Sequence, residues 1–314
     1  MNIIFQILLL AAGFTMLIKG ADWFVDGASK IADKFGIPQI VIGLTIVAMG
    51  TSLPEAAVSI TAAFKGSAEI TIGNVLGSNI LNILIILGIT SVIIPLTVKK
   101  NTLKYEIPYV ILISAILFVL GFFDKEVSRV DGLILWMLFI IFMIYLFKLA
   151  KKGEDTGEEV PQVTEDDRLW KMILSVFIGA GLIVWGSNLT VDAATVLARM
   201  FGWSERLIGL TIVALGTSLP ELVTSVVAGI KGKTDIAIGN IVGSNIFNVL
   251  FVVGTTALII PVVYAPNFFV DSIVCIASAA LLLLCVIKNR KLTRVGGIVM
   301  LLSYAAYFVY LIRG

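Results

Sequence analysis

The chain of 314 residues has no histidine, only two cysteines and few charged residues, which make up 14% of it. The absence of histidine excludes imidazole metal ligands, histidine proton relays and Ser-His or Cys-His nucleophile pairs. Cys275 and Cys285 lie in one apolar segment, too far apart along a helix for a disulfide, so we expect both to be small packing residues. The net charge of +2 is too small to indicate nucleic-acid binding.

Hydrophobic residues are abundant, at 59% of the chain. A soluble domain of this size would lack the polar residues to cover its surface, so the composition predicts an all-α polytopic membrane protein. A span needs about 20 mostly apolar residues. This length predicts ten transmembrane helices, at 3–28, 38–64, 70–96, 104–122, 131–150, 170–198, 206–230, 236–261, 268–287 and 295–312. The N-terminus lacks a basic region and a clear cleavage site, so we interpret it as the first span.

A segment of thirteen residues occurs twice. Residues 43–55 read GLTIVAMGTSLPE and residues 209–221 read GLTIVALGTSLPE. With the same offset of 166, residues 42–88 align without a gap on 208–254 and match at 28 of 47 positions. Five spans precede the polar stretch in the middle of the chain and five follow it, and because five is odd the second copy enters the membrane from the opposite side. This pattern is typical of secondary transporters with inverted repeats, whose site lies between the repeats near the membrane midplane.

The domain organisation follows from the repeat. We expect a first five-helix repeat at 1–150, a linker at 151–169 and a second five-helix repeat at 170–314. The linker carries GEDTGEEVPQVTEDD and is too short for a folded regulatory domain. With the N-terminus outside, sixteen lysines and arginines fall on inside segments and six on outside segments. The positive-inside rule therefore predicts a multi-pass protein of the plasma (inner) membrane with both termini outside and a cytoplasmic linker.

Each copy of the thirteen-residue segment ends on a glutamate, Glu55 or Glu221. An ionised carboxylate in an apolar span costs about 2.5–3.5 kcal/mol on insertion scales, so its repetition indicates a function. Pro54 lacks an N–H and clashes with the preceding turn, which predicts a break that frees carbonyls near Ala48 to Thr51 as ligands. The alternative interpretation of Gly-Thr-Ser-Leu-Pro alone is an ordinary transmembrane kink.

Oxygen ligands of this kind suit a hard cation such as Ca²⁺ or Na⁺ and do not suit a soft metal. Thr51 would share a helix face with Glu55, and Ser52 adds a hydroxyl. The second copy supplies Ala214, Thr217, Ser218 and Glu221. Two carboxylates that meet across the repeat interface carry a charge of −2, which one Ca²⁺ would neutralise.

The following span repeats GNVLGSNILN (73–82) as GNIVGSNIFN (239–248). Ser78 and Asn82 lie four residues apart on one face, as do Ser244 and Asn248, and their oxygens would complete a cation site. The alternative is interhelical hydrogen bonding, while the glycines allow close helix packing. The sequence assigns no role to Asn74, Asn79, Asn240 and Asn245. For Asp22, Asp26 and Asp192, which lie toward the ends of the first and sixth spans, we expect pairing at the interface, with Lys19 near the first two.

These motifs resemble the two repeats of the cation/Ca²⁺ exchanger superfamily, specifically the prokaryotic sodium/calcium exchangers. The resemblance covers the whole chain and rests on GTSLPE twice, each followed by GSN-x-x-N. It implies Ca²⁺ ligands at Glu55 and Glu221 and at the carbonyls of Thr51 and Thr217. It implies Na⁺ ligands, with the two glutamates shared, at Ala48, Ser52, Ser78, Ala214, Ser218 and Ser244. Asn82 and Asn248 match the central polar pair of the family, in which potassium-dependent members usually carry aspartate at the second position.

The resemblance implies a secondary active antiporter that exchanges Na⁺ for Ca²⁺ by alternating access, is electrogenic and does not require K⁺. It is not an enzyme, and we expect no cofactor, no nucleic acid and no protein partner beyond the lipid bilayer and the transported ions. A proton/Ca²⁺ antiporter of the same superfamily and a cation channel are the alternatives. The sequence lacks the motifs of an intramembrane protease.

Overall fold

Helices make up almost all of the fold. The computed structural model describes residues 3–152, 168–202 and 214–313. Numbered in chain order within these ranges, the helices are α1 Ile3–Phe35, α2 Gln39–Thr51, α3 Leu53–Phe64, α4 Ile70–Ile93, α5 Thr102–Asp124, α6 Arg129–Lys151, α7 Leu169–Met200, α8 Ala214–Gly216, α9 Leu219–Ile230, α10 Thr234–Ile259, α11 Phe268–Ile287 and α12 Arg294–Arg313. The strands are β1 Leu96–Thr97, β2 Glu126–Val127, β3 Val262–Val263 and β4 Lys291–Leu292.

Most of the expected spans correspond to long apolar helices. Among the described residues, eight helices are long and apolar enough to cross a membrane, and counting the bent pair α2 and α3 as one span gives nine. The expected seventh span, 206–230, overlaps α8 and α9, but residues 203–213 lie outside the described ranges. The residues 153–167 of the expected linker lie outside them too. The all-helical polytopic membrane fold is therefore confirmed, whereas the number ten stays a prediction.

Helices α4 and α10 form the centre of the molecule. The most apolar stretch of α10 is 94% buried and that of α4 is 72% buried, against 22% for α1 and 17% for α12. Asparagine, serine and threonine occur among the buried residues of both central helices. Because backbone and side-chain polar groups inside a membrane protein must find partners within the protein, this polar centre indicates a site and not only packing.

The expected break at Pro54 is confirmed. Helices α2 and α3 meet at Ser52 with a bend of 50°, and Ser52 has a non-helical backbone with φ −86° and ψ 8°. Within the described ranges, four π-helical segments, which the sequence did not indicate, interrupt the regular helices at Gly43–Val47, Asn82–Leu87, Thr102–Glu106 and Asn248–Val253. Such segments shift backbone hydrogen bonding by one residue and occur often at functional sites.

Helices α1 and α7 pack against each other through glycines. A Cβ placed on Gly20 would lie 2.8 Å from the carbonyl oxygen of Gly179, and one on Gly186 would lie 2.8 Å from that of Gly13. The backbones therefore touch, which side chains at these positions would prevent. The first span was expected to end at residue 28, but α1 continues to Phe35 and stops before Gly36, whose φ of +62° is a left-handed conformation typical of a helix end.

The strands join connections that are distant in the sequence. Strand β1 pairs with β4 and β2 pairs with β3, both antiparallel. The offset of 166 carries β1 onto β3, and an offset of 165, one residue shorter, carries β2 onto β4, so the two ladders correspond under the sequence repeat. Each ladder links the first half of the chain to the second at one end of the helices.

Candidate cation-binding site

Glu55 and Glu221 occupy equivalent places at two helix starts. Each lies in the first turn of its helix, α3 or α9, with a proline at the N-terminal positions. Ser218 precedes α9 with φ −89° and ψ 2°, nearly the geometry of Ser52 before α3. The unpaired N–H groups and dipole of a helix start favour negative charge. The two breaks therefore provide a local reason why carboxylates are tolerated inside the membrane.

Both glutamates are buried in the interior. Glu55 is 1% exposed and Glu221 is 0% exposed, and their charges are close enough to interact. Within the described part of the chain, no lysine or arginine forms an ion pair with either glutamate. Two buried like charges without a basic partner are unfavourable unless a cation neutralises them.

Hydroxyl groups from both halves of the chain hold the carboxylates. Ser52 donates a hydrogen bond to Glu221 Oε1 with an Oγ–Oε1 distance of 2.8 Å, and Ser244 lies 3.5 Å from the same oxygen. The side chains of Thr217 and Ser78 form hydrogen bonds with Glu55. Ser78 and Ser244 belong to the same half of the chain as the carboxylate that they contact, whereas Thr217, Ser52 and Thr51 belong to the other half.

Several buried oxygens near these groups have no hydrogen-bond partner among the described residues. They are Glu55 Oε2, Glu221 Oε2, Ser218 Oγ, Asn82 Oδ1 and Asn248 Oδ1. Buried polar atoms are almost always satisfied, so a set of unsatisfied oxygens calls for an explanation. All of them belong to residue types that bind hard cations through oxygen. The donor set therefore fits Ca²⁺ or Na⁺ as a transported substrate.

A backbone oxygen of α2 also faces the site, while it keeps its helical hydrogen bond from the Ser52 N–H. The hydroxyl of Ser244 donates to the carbonyl oxygen of Ala48 over 3.3 Å, so this carbonyl faces α10. Thr51 is buried, and its hydroxyl donates to Asn240 Oδ1 over 2.9 Å. Ala214 lies in α8. The predicted residues Ala48, Ser52, Ser78, Thr217, Ser244 and both glutamates thus share direct contacts, whereas the hydroxyl of Thr51 contacts an asparagine that the sequence left unassigned.

Asn79 and Asn245 join the two central helices in a symmetrical network. The amide of Asn79 donates to the carbonyl oxygen of Asn245, and that of Asn245 donates to the carbonyl oxygen of Asn79, each over 3.2 Å. Asn82 donates to Asn245 Oδ1 over 3.0 Å and Asn248 donates to Asn79 Oδ1 over 3.1 Å. Interhelical hydrogen bonding, the alternative for the Asn82 and Asn248 pair, therefore occurs, and it leaves the Oδ1 atoms of both available.

Asn74 and Asn240 hydrogen-bond to the backbone of the two glutamates. Asn74 donates to the backbone carbonyl of Glu55 over 3.2 Å and to Ser59 over 2.9 Å. Asn240 donates to the backbone carbonyl of Glu221 over 3.4 Å and to Ser225 over 2.9 Å. The repeat keeps both asparagines and both serines at the offset of 166, but it keeps Asn79 and Asn245 in the same way, so it does not indicate this role.

Comparisons with known proteins agree with this chemistry. The family model described as sodium/calcium exchanger protein matches residues 5–148 and 171–313. The chain is 41% identical to the putative antiporter CaxA of Alkalimonas amylolytica, over 94% of this chain and 95% of that one. It is 33% identical to the sodium/calcium exchanger MaX1 of Methanosarcina acetivorans, over 97% of both chains.

A solved structure shares the fold along its whole length. It is the sodium-calcium exchanger NCX_Mj soaked with 10 mM Na⁺ and zero Ca²⁺, with a TM-score of 0.84 and 33% identity over 98% of this chain and 99% of that one. The family model covers both halves of the chain and leaves out only the linker region and the ends. The chain belongs to the sodium/calcium exchanger family.

Proposed function

We propose that this member of the family exchanges Na⁺ for Ca²⁺ by alternating access at a single site built on Glu55 and Glu221. Antiport of a cation against Ca²⁺ follows from the family. The observation that supports this site best is the pair of buried glutamates, which have no basic partner among the described residues and are surrounded by unsatisfied oxygens. A dehydrated Ca²⁺ would neutralise both charges and bind the unsatisfied carboxylate oxygens.

The ligands fall into two groups that share the glutamates. Ca²⁺ binds to both carboxylates and to the carbonyls of Thr51 and Thr217. Na⁺ binds at the further oxygens of Ala48, Ser52, Ser78, Ala214, Ser218 and Ser244, with Asn82 and Asn248 at the centre. Ser52 and Ser244, which contact Glu221 directly, support this assignment. The two ions compete because the same carboxylates serve both.

The architecture that we propose has ten transmembrane helices in two inverted repeats, 1–150 and 170–314, joined by a cytoplasmic linker at 151–169. In each ladder a strand of the first half pairs with a strand of the second half, and the repeat relates one ladder to the other, which supports the two-repeat architecture. The ladders also support the orientation, because β1–β4 joins two connections predicted to be inside and β2–β3 joins two predicted to be outside. Both termini then lie outside the plasma membrane.

The test is a flux measurement in proteoliposomes. Vesicles loaded with Na⁺ should take up radiolabelled Ca²⁺ when external Na⁺ is removed, and should not do so when only a pH gradient is imposed. Uptake driven by the pH gradient alone would instead identify a proton/Ca²⁺ antiporter. Single-channel current steps in a planar bilayer would identify a channel and overturn the proposal.

A further inference from the structure

Helices α1 and α7 must move as one unit. Their contact uses backbone against backbone, with a Cβ on Gly179 only 2.7 Å from the carbonyl oxygen of Gly20 and one on Gly13 3.0 Å from that of Gly186. Interfaces packed this closely do not deform gradually. Any large displacement of either helix therefore occurs between the pair and the rest of the molecule.

An ion-pair cluster ties this unit to the rest of the molecule at one end. Lys231 follows α9, and its Nζ lies 2.6 Å from Asp22 Oδ1 and 2.8 Å from Asp26 Oδ1 of α1. The same Nζ also donates to the backbone carbonyl of Asp22 over 3.2 Å. Burial lowers the pKa of Lys231, but the hydrogen bonds and charges of the two aspartates outweigh it and raise the pKa above its usual value. The lysine therefore stays charged and bridges two successive turns of α1.

This cluster corrects one expectation from the sequence. Asp22 and Asp26 were expected to pair near Lys19, but they pair with a lysine from the second half of the chain. Further contacts continue along α1, since Lys233 hydrogen-bonds to Ser29. Gln39 donates to Ser29 over 3.2 Å and to Asp33 over 3.3 Å. One face of α1 is thus held by polar contacts over three turns.

The sequence repeat places matching groups at the other end of the unit. The offset of 166 carries Lys231 onto Lys65, which follows α3, and Asp26 onto Asp192 of α7. Asp22 corresponds to Asn188, so only one of the two aspartates that bind Lys231 has an acidic counterpart in α7. In the described structure Lys65 and Asp192 are both exposed, and no ion pair joins them. One of two equivalent ion-pair positions is therefore formed and the other is open.

We propose that these are two alternating locks of the transport cycle: Lys231 with Asp22 and Asp26 holds the state seen here, and Lys65 with Asp192 holds the opposite one. This inference rests on the proposed alternating access. A shift of the α1–α7 unit past the other helices breaks the first lock and closes the second. The second lock is the weaker one, because it has one acid where the first has two.

Disulfide trapping tests the two locks by distance. The background replaces both native cysteines, Cys275→Ala and Cys285→Ala. The pair Lys231→Cys and Asp26→Cys, and separately Lys65→Cys and Asp192→Cys, should each form a disulfide on mild oxidation. Each disulfide should stop Na⁺-driven Ca²⁺ uptake, and reduction should restore it. With all four cysteines in one chain, each molecule should form only one of the two disulfides.

A neutralised lock should shift the balance between the two states. In the Lys65→Cys and Asp192→Cys protein, adding Lys231→Gln should raise the rate of disulfide formation by about two- to tenfold, the range expected from losing partly exposed ion pairs. The Asp22→Asn and Asp26→Asn double substitution should do the same. Lys100→Gln removes an exposed charge from a connection predicted to lie on the same side as Lys231, and should leave the rate unchanged.

The outcomes separate this inference from the proposed function. Trapping measures a distance and needs no transport, so absence of Na⁺-driven uptake in the unmodified protein would count against the proposed function alone. If Lys65→Cys and Asp192→Cys never cross-link while Lys231→Cys and Asp26→Cys do, the second lock does not exist. An unchanged rate after Lys231→Gln and after the double substitution would reduce the first cluster to a static structural contact.

Discussion

At the scale of single residues, the two glutamates differ in what holds them. Glu221 accepts a hydrogen bond from Ser52 in addition to its contacts with Ser244 and Thr51, whereas Glu55 interacts with the counterparts of the latter two, Ser78 and Thr217. The equivalent of Ser52 is Ser218, and its hydroxyl has no partner among the described residues. The repeat therefore supplies the same groups twice, but this state of the protein uses them differently. Ser218 is free to bind an ion, while Ser52 is engaged.

Replacing either glutamate by glutamine should abolish exchange. Glu55→Gln or Glu221→Gln removes one of two negative charges from a dehydrated site, and we expect Na⁺-driven Ca²⁺ uptake to fall by more than about tenfold. The control is Glu126→Gln, which neutralises an exposed glutamate in β2. Uptake at the unmodified rate in either site variant, in protein that inserts and folds normally, would contradict the assignment.

Asn74 and Asn240 should differ in how much they stabilise the protein. Asn240 makes the same two contacts as Asn74 and in addition accepts from Thr51 across the two halves. Because a buried group that loses its partner costs about 1–3 kcal/mol, Asn240→Ala should lower the free energy of unfolding more than Asn74→Ala does. Thermal unfolding in detergent measures both. Equal losses would show that the bond to Thr51 contributes nothing.

The residue types of the site could be predicted from the sequence, but the hydrogen bonds and ion pairs between these residues could not. Glutamates in apolar spans are rare, so the sequence alone marks them as site residues. The repeat of GTSLPE shows which oxygen-bearing residues lie beside them. Asparagines near glycines are different, because the same residue type binds ions, supports backbone carbonyls or joins helices. Only the structure separates Asn74 from Asn79, and only the structure pairs Asp22 with Lys231 and not with Lys19.

At the scale of helices, the glycines of α1 and α7 determine how closely the pair can pack. Gly179→Ala would place a Cβ 2.7 Å from the backbone of α1, whereas around Gly181, in the same helix, a Cβ meets no atom within 4 Å. We expect Gly179→Ala to destabilise the protein by about 1–3 kcal/mol through overpacking. Gly181→Ala is the matched control, because it changes helix propensity equally. A lower unfolding temperature for the control than for Gly179→Ala would contradict this packing.

The breaks in the helices could be predicted only in part. Pro54 predicts the bend at Ser52 because proline cannot donate the backbone hydrogen bond that would continue the helix. The π-helical segments that begin at Asn82 and Asn248 contain no proline or glycine that would indicate them. They depend on packing between α4 and α10, which no local pattern encodes. The end of α1 at Phe35 was missed because residues 29–35 continue the helix with polar residues.

At the scale of the whole molecule, charge balance determines how transport couples to voltage. Glu55 and Glu221 carry −2 together, and one Ca²⁺ balances that charge. In the part of the chain that the structure describes, no third carboxylate joins them in a metal-binding cluster. In the site that we propose, the hydroxyls of Ser52, Ser78, Ser218 and Ser244 would bind more than two Na⁺. If more than two Na⁺ exchange for one Ca²⁺, at least one net charge crosses the membrane per cycle.

We therefore expect exchange to be electrogenic and independent of K⁺. Each net charge couples to about 2.3 kcal/mol per 100 mV, so a clamped potential should change the rate of Ca²⁺ uptake in proteoliposomes.

Asn248 is neutral and buried, and it supplies no carboxylate for an additional monovalent ion. Replacing all K⁺ by choline should leave uptake unchanged, with the potential set by other means. Asn248→Asp is the change expected to introduce dependence on K⁺ or on pH. Uptake that ignores an imposed voltage would refute electrogenic exchange, and uptake that disappears without K⁺ would refute the role given to Asn248.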